Sequence, residues 1–376
     1  LARIEEWTPR EIAESCSFTS LTNRLYTHFL TEENGGEYSF NSCVTKVEDF
    51  KRWQNQFRER LFDILKIADL MKDRKSVEIV RCSELDAPFI HSSEQNKFTI
   101  EHFYIKSWAG SLIPVLLFKP KTNVTSAKTK HPAFVCTHGH TMYKSNLVGM
   151  RKNFIYPGTW AKDFTEMGCI TISFDQWGWG ERGFPEWKII FKPLMHKIWE
   201  NQYAFKMLQL GRTMNGLRYF DAIRCIDYLA SRGDVDTSRI GIAGLSLGGS
   251  SAAWVSALDD RISLAIIAGY LNTFKASLLD IKHCSCMYTP GTLQSGEMSD
   301  IISLIAPRAV CFITGKKDTI FPITAAQDAF EKVKQAYSLF GASDECVLDI
   351  TPKGHGWRGD VAYPFVKNHW FTDKKN

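Results

Sequence analysis

The sequence predicts an α/β fold, with a mostly parallel central sheet flanked by helices. Three observations carry this expectation. Beyond Lys130, short apolar runs of strand length alternate with longer helix-prone stretches, the pattern of strands crossing over through helices. One such run, Ile240 to Ala243, passes directly into Gly244-Leu245-Ser246-Leu247-Gly248 and then into a helix-forming stretch, Ser250 to Leu258. Two later apolar runs each end in a loop carrying an ionisable side chain, Asp318 and His355. Open α/β sheets gather their ligands at such strand ends.

The elements follow in chain order. Residues 1–97 form an N-terminal helical extension with a leading strand. A short helical stretch is expected near Pro9 to Cys16, and a strong amphipathic helix over Val47 to Lys72, where Phe50, Trp53, Phe57, Leu61, Ile64 and Leu65 recur at three- and four-residue steps. That stripe suits core packing or a subunit contact, so a homodimer through this helix is one expectation. Val77 to Arg81 and Phe98 to Phe118 read as antiparallel strands, with Trp108-Ala109-Gly110-Ser111 as the hairpin turn. Residues 98–376 form the main domain. Pro132 to Val135 and Cys169 to Phe174 are buried-strand runs, and Asn215 to Ser231 is a helix. An aromatic-rich insertion at about 184–212 sits before that helix and suits a lid. Arg308 to Thr314 and Cys346 to Ile350 are strands, with a helix over Ala325 to Leu339 between them.

The chemistry is concentrated at Ser246. A serine at a sharp strand-to-helix turn has its Oγ lifted clear of the sheet, and small neighbours are needed because a Cβ at Gly244 or Gly248 would crowd the turn. A nucleophilic serine needs a base, and the base an orienting acid. Asp318 lies just past its strand in Gly315-Lys316-Lys317-Asp318, and His355 lies in a glycine-flanked loop. Asp349 is the rival acid, but it stands inside its strand. An oxyanion hole needs two backbone N–H groups; Leu247 supplies one, and the Cys136-Thr137-His138-Gly139-His140 loop supplies the other through His140. A metal pair of His138 and His140 is disfavoured, because alternating residues on an extended segment point apart. Cys284 and Cys286 are too close in sequence for an easy bridge, and a zinc site there lacks a second ligand pair. Gly178 to Gly183 matches a dinucleotide-loop pattern, but two tryptophans and Phe184-Pro185 make it a structural loop, with Asp175 and Arg182 as a candidate ion pair. Trp177, Trp179, Trp187, Tyr203 and Tyr288 are candidates for the substrate pocket.

Together these motifs resemble the α/β-hydrolase superfamily, and within it the dienelactone-hydrolase-like and acetyl-xylan-esterase-like branch. The matching residues are H-G-H at 138–140, D-Q-W-G-W-G-E-R at 175–182, D-x-x-R-I-G-I-x-G-x-S-x-G-G at 236–249, H-C-x-C-M-Y-x-P-G at 283–291, I-A-P-R at 305–308, G-K-K-D-x-I-F-P at 315–322 and G-H at 354–355. The resemblance spans roughly residues 98 to 370. Dienelactone hydrolases proper use cysteine where this chain has Ser246, so it implies ordinary ester hydrolysis on an α/β-hydrolase fold. The expected partner is a small-molecule ester, cleaved by Ser246, His355 and Asp318 with no metal or organic cofactor. An acyl-peptidase is the nearest alternative, because the 236–249 motif also occurs among prolyl-oligopeptidase-like enzymes. An acyltransferase would use the same triad. A non-catalytic binding protein on the same fold is the alternative from another class.

Composition narrows the field. A net charge of +5 is mild for 376 residues and the basic residues are spread out, which argues against nucleic acid as a partner. No apolar run approaches the ~20 residues that span a bilayer. The start, Leu1 to Glu6, has no signal-peptide pattern, and the ten cysteines are scattered, so a reduced, cytoplasmic chain is expected. It does not begin with Met, which leaves N-terminal processing open.

Overall fold

The computed structural model describes residues 8, 22–23, 25–27, 36–40, 44–81, 98–121, 130–153, 155–183 and 192–372, apart from the side chains of 192–197. Nine strands form one sheet: β1 (Ile79–Val80), β2 (Phe98–Lys106), β3 (Leu112–Pro120), β4 (His131–Thr137), β5 (Ile170–Phe174), β6 (Val235–Leu245), β7 (Ile262–Ala268), β8 (Ala309–Gly315) and β9 (Cys346–Thr351). Their spatial order is β1-β2-β3-β5-β4-β6-β7-β8-β9. β1 to β3 pair antiparallel, β3 meets β5 antiparallel, and β5, β4, β6, β7, β8 and β9 run parallel. The hairpin turn at Trp108–Gly110 falls where the sequence placed it, with Ala109 and Gly110 both at positive φ.

The main helices are α1 (Val47–Leu65), α2 (Trp160–Glu166), α3 (Lys192–Gln209), α4 (Met214–Ser231), α5 (Leu247–Leu258), α6 (Ile323–Ser338) and α7 (Ala362–Trp370). Strand alternation sorts the core onto the two faces of the sheet. Val115, Val135 and Ile242 point to the face covered by α1, α4, α5 and α6, whereas Phe134, Cys136 and Leu245 point to the face covered by α2 and α7. The helix that follows β4, α2, and the helix that follows β6, α5, thus lie on opposite faces. The carboxyl ends of β4 and β6 therefore part into a crevice at a topological switch point.

The apolar stripe of α1 packs within this chain: Phe50, Phe57, Leu61 and Leu65 are fully buried in the same core as the sheet. Each such side chain contributes about 1.5–3 kcal/mol. The helix does not run to Lys72. It stops at Lys66, which adopts φ 60°, and a separate short helix covers Ala68–Lys72. The last carbonyls of α1 are taken by tertiary donors, Thr213 Oγ1 on Leu65 O at 2.7 Å and Arg212 Nη1 on Lys66 O at 2.5 Å. The apolar spacing alone continues across this break, which is why periodicity overran it. The stretch Pro9 to Cys16 lies outside the described residues. Among the described residues no helix is long and apolar enough to cross a membrane.

Candidate active site

Ser246 joins β6 to α5 with φ 59° and ψ −116°. A non-glycine residue in this region costs about 1–3 kcal/mol and persists only where neighbours hold it. Here the Ser246 N–H donates to Ala268 O at 2.9 Å, and Ser250 N–H donates to Ser246 O at 2.8 Å. Thr137 Oγ1 donates to Gly248 O at 2.8 Å, clamping β4 onto the turn. The approach is so close that a Cβ at Gly248 would lie 2.3 Å from Thr137 O, so the turn admits only glycine there. The first N–H groups of α5 are directed at the serine, where they favour negative charge.

Asp318 and His355 stand on the loops that follow β8 and β9. Asp318 Oδ1 accepts from the Ile320 and Phe321 amides at 2.8 and 3.0 Å, which fixes the carboxylate. Its Oδ2 accepts from His355 Nδ1 at 2.7 Å. That bond puts the ring hydrogen on Nδ1 and leaves Nε2, buried and without a hydrogen-bond partner among the described residues, as the basic nitrogen. Phe321 stacks on the imidazole at 5.7 Å and Tyr156 meets it edge-on at 5.4 Å. Beneath the ring lies Gly269 at φ +56°, where an added Cβ would sit 2.7 Å from His355 Cε1. Gly269 follows Ala268, whose carbonyl receives the Ser246 amide, so one short segment supports both the serine turn and the histidine. Sequence reasoning missed Gly269; the glycine closing the apolar run Ile262 to Ala268 was the available signal. Asp349 remains inside β9 opposite Ile313, and His355 is bonded to Asp318 instead.

The 138–140 loop runs against the serine, since a Cβ on Gly139 would lie 3.4 Å from Ser246 Cβ. Neither the Leu247 nor the His140 amide meets a protein acceptor among the described residues. The two histidine rings of this loop point apart. His138 is fully buried; its Nδ1 bonds Gly139 O at 2.9 Å and its Nε2 accepts from the Gln176 amide at 3.0 Å. Burial lowers its pKa to about 4, so it is a neutral structural residue.

His140 Nε2 instead reaches Cys284 Sγ at 3.1 Å, Cys286 Sγ at 3.5 Å and Glu200 Oε2 at 3.4 Å. Burial opposes the charge on His140, yet Glu200 and Cys286 outweigh it and raise its pKa to about 10. Burial likewise pushes the Cys286 thiol up. Glu200 is itself buried in α3, and its Oε1 accepts from Trp179 Nε1 at 2.8 Å and from Arg218 Nη2 at 2.5 Å. The second pair of ligand-type side chains that the local sequence around Cys284 and Cys286 lacks therefore comes from elsewhere in the chain. The seven described cysteines are all free and buried.

Asp175 and Arg182 do not pair. Asp175 bonds Lys144 Nζ at 2.7 Å, while Arg182 bonds Asp221 at 2.6 Å and lies over the Trp177 ring at 3.8 Å. The tight turn at Gly180 presents the Glu181 amide to Asp175 and turns the Arg182 side chain away toward α4.

The candidate pocket residues separate. Trp177 and Tyr203 line a cavity of about 400 Å³ with Trp108, Arg182 and Met207. Tyr288 lines another, of about 270 Å³, with Trp254, Tyr270 and Leu278. Ser246 and His355 line neither of these two. Trp179 is buried, with its N–H on Glu200 and its ring edge-on to His140 at 5.8 Å. Trp187 lies outside the described residues.

Comparison with known proteins fits this architecture. Over 307 residues the chain is 28% identical to the protein named "Putative hydrolase YtaP" of Bacillus subtilis (strain 168), covering 79% of this chain and 92% of that one. Among solved structures, the protein titled a putative acetyl xylan esterase (BF1801) from Bacteroides fragilis NCTC 9343 superposes with a TM-score of 0.68 at 17% identity, covering 92% of this chain and 86% of the other. The Glucuronoyl Esterase from Solibacter usitatus superposes with a TM-score of 0.56 at 14% identity, covering 87% of this chain and 95% of the other. At such identities these superpositions speak for the fold, an α/β-hydrolase fold. The sequence profile of the Abhydrolase family matches residues 19–350. With the nine-stranded sheet and the strand-to-helix turn at Ser246, that match settles the matter of kinship: the chain belongs to the Abhydrolase family.

Proposed function

We propose that this chain is a serine hydrolase that cleaves carboxylic esters through an acyl-enzyme. The observation that carries this reading is the conjunction of Ser246 at φ 59° on the N-terminus of α5 with a His355 oriented by Asp318 at 2.7 Å on the same edge of the sheet. Ser246 Oγ attacks the ester carbonyl while His355 Nε2 takes its proton. Asp318 holds the ring and stabilises the imidazolium that forms. The Leu247 and His140 amides receive the developing oxyanion, a contribution of about a hundredfold or more per donor. His355 then protonates the departing alcohol, and water, deprotonated by the same nitrogen, releases the acid and restores Ser246. The ester-hydrolase names of the structural neighbours support this class of substrate, and acetyl esters are the first to try.

The test is hydrolysis of p-nitrophenyl acetate, butyrate and octanoate, beside acetylated xylan, by the unaltered chain and by Ser246→Ala, with fluorophosphonate labelling of both. The expected result is labelling confined to the unaltered chain and a loss of kcat/KM of about 10⁵-fold in the variant. Equal rates in the two proteins would remove Ser246 from the mechanism. Preference for octanoate over acetate would replace the acetyl reading with a longer-chain carboxylesterase.

A further inference from the structure

We propose that His140, Glu200, Cys284 and Cys286 bind a zinc(II) ion that ties the 138–140 loop to α3 and to the 284–286 segment. The four ligand atoms all lie within 4.8 Å of one another. Zinc bonds of about 2.0–2.1 Å to nitrogen, 2.0–2.2 Å to oxygen and 2.3 Å to sulfur generate a tetrahedron with edges of about 3.3–3.8 Å. The distances from His140 Nε2 to Cys284, Cys286 and Glu200, 3.1, 3.5 and 3.4 Å, are already near those edges. Two thiolates with an imidazole select zinc over the hard cations magnesium and calcium. Four protein ligands close the coordination sphere, so the ion would be structural.

The surroundings are those of a metal site. Glu200 Oε1 is held by Trp179 and Arg218, which leaves Oε2 turned to His140; outer contacts of this kind orient ligands. Arg218 is wholly buried, and its Nε and Nη1 have no hydrogen-bond partner among the described residues. Its electrostatic neighbours are Cys286, Glu200 and Cys284. Two thiolates and one carboxylate against one zinc ion and one guanidinium sum to zero charge, the condition for burying all five together. Binding releases three protons to solvent, one from each thiol and one from the His140 imidazolium. The ligands come from three segments far apart in sequence, so the ion would anchor the loop that lies against Ser246.

The experiment is zinc content by plasma mass spectrometry on the full chain, purified under reducing conditions without a metal-affinity resin. About one zinc ion per chain is expected. Cobalt(II) replacing zinc after chelation should give thiolate-to-cobalt charge-transfer absorption and the visible bands of a tetrahedral site. Cys286→Ser and Glu200→Gln should each weaken zinc binding roughly tenfold or more. Cys346→Ser, outside the cluster, should leave it unchanged, as should Ser246→Ala, which separates this result from the fate of the hydrolase reading. A chain that takes up neither zinc nor cobalt, or a Cys286→Ser variant that holds zinc against a competing chelator as tightly as the unaltered chain, overturns the proposal. If the cluster variants do not fold, the cobalt spectrum of the unaltered chain decides alone.

Discussion

Two clusters meet at the 138–140 loop, and they are built in opposite ways. Ser246, Asp318 and His355 each stand at the carboxyl end of a parallel strand, and hydrogen bonds from backbone amides hold Ser246 and Asp318 in place. The sheet does the positioning, so each residue needs only the right place in its own strand–loop unit. His140, Glu200, Cys284 and Cys286 have no such frame. They come from a loop, the helix α3 and a one-turn segment, and the packing of α3 against α4 and the turn at Ser285–Met287 brings them together. A site on strand ends tolerates change in the elements around it, whereas a site assembled from loops depends on whatever staples the loops.

The sharpest break of this contrast is Ser246→Ala, whose loss of about 10⁵-fold in ester hydrolysis should leave the melting temperature unchanged. Asp318→Asn should follow at about 10³–10⁴-fold, chiefly in kcat, because the imidazole loses its orienting partner and takes the wrong tautomer. Gly269→Ala tests the shared support: a Cβ 2.7 Å from His355 Cε1 at φ +56° should cost about 1–3 kcal/mol in stability and displace the ring, lowering kcat by roughly 10–100-fold. For the loop-built cluster the order of effects reverses. Cys286→Ser should lower the melting temperature by about 5 °C or more while hydrolysis falls less than tenfold, read by calorimetry beside the p-nitrophenyl acetate assay. A variant as inactive as Asp318→Asn but fully stable would show that the cluster acts on the chemistry and not on the frame.

The smallest expected effect concerns acid stability. Burial works against the charge on Glu181, but His102, Lys144 and Tyr104 outweigh it and hold its pKa down to about 2. The unfolded chain therefore takes up this proton first as pH falls. The stabilisation is complete above the ordinary glutamate value of 4.5 and is lost between there and about 2. Glu181→Gln should flatten that acid limb of a melting-temperature profile and leave the curve parallel to that of the unaltered chain above pH 5. An unchanged acid limb would mean that other carboxylates dominate it.

The pattern of strands and helices, the turn at Ser246 and the order Ser, Asp, His were legible because each is encoded over a few consecutive residues: apolar periodicity, glycines at a sharp turn, an acid or histidine just past a strand. The helices Trp160–Glu166 and Ala362–Trp370 and the strand Ile262–Ala268 are not among the elements expected from the sequence, although that strand is a short apolar run closed by Gly269. The end of α1 at Lys66 was not legible, since donors from Arg212 and Thr213, nearly 150 residues away, cap that helix. The ion partners of Asp175 and Arg182 escaped for the same reason.

The sequence by itself thus determined the class of fold and pointed to Ser246, Asp318 and His355 as the candidates for acyl transfer, because backbone geometry and hydrophobic period are local properties. Only the tertiary structure decided that Gly269 supports the His355 ring, that the α1 stripe faces this chain's own core, and that His140 and Glu200 stand against Cys284 and Cys286. Those contacts join segments separated by tens to hundreds of residues, and a contact across such a distance exists only once the sheet has set where each segment ends.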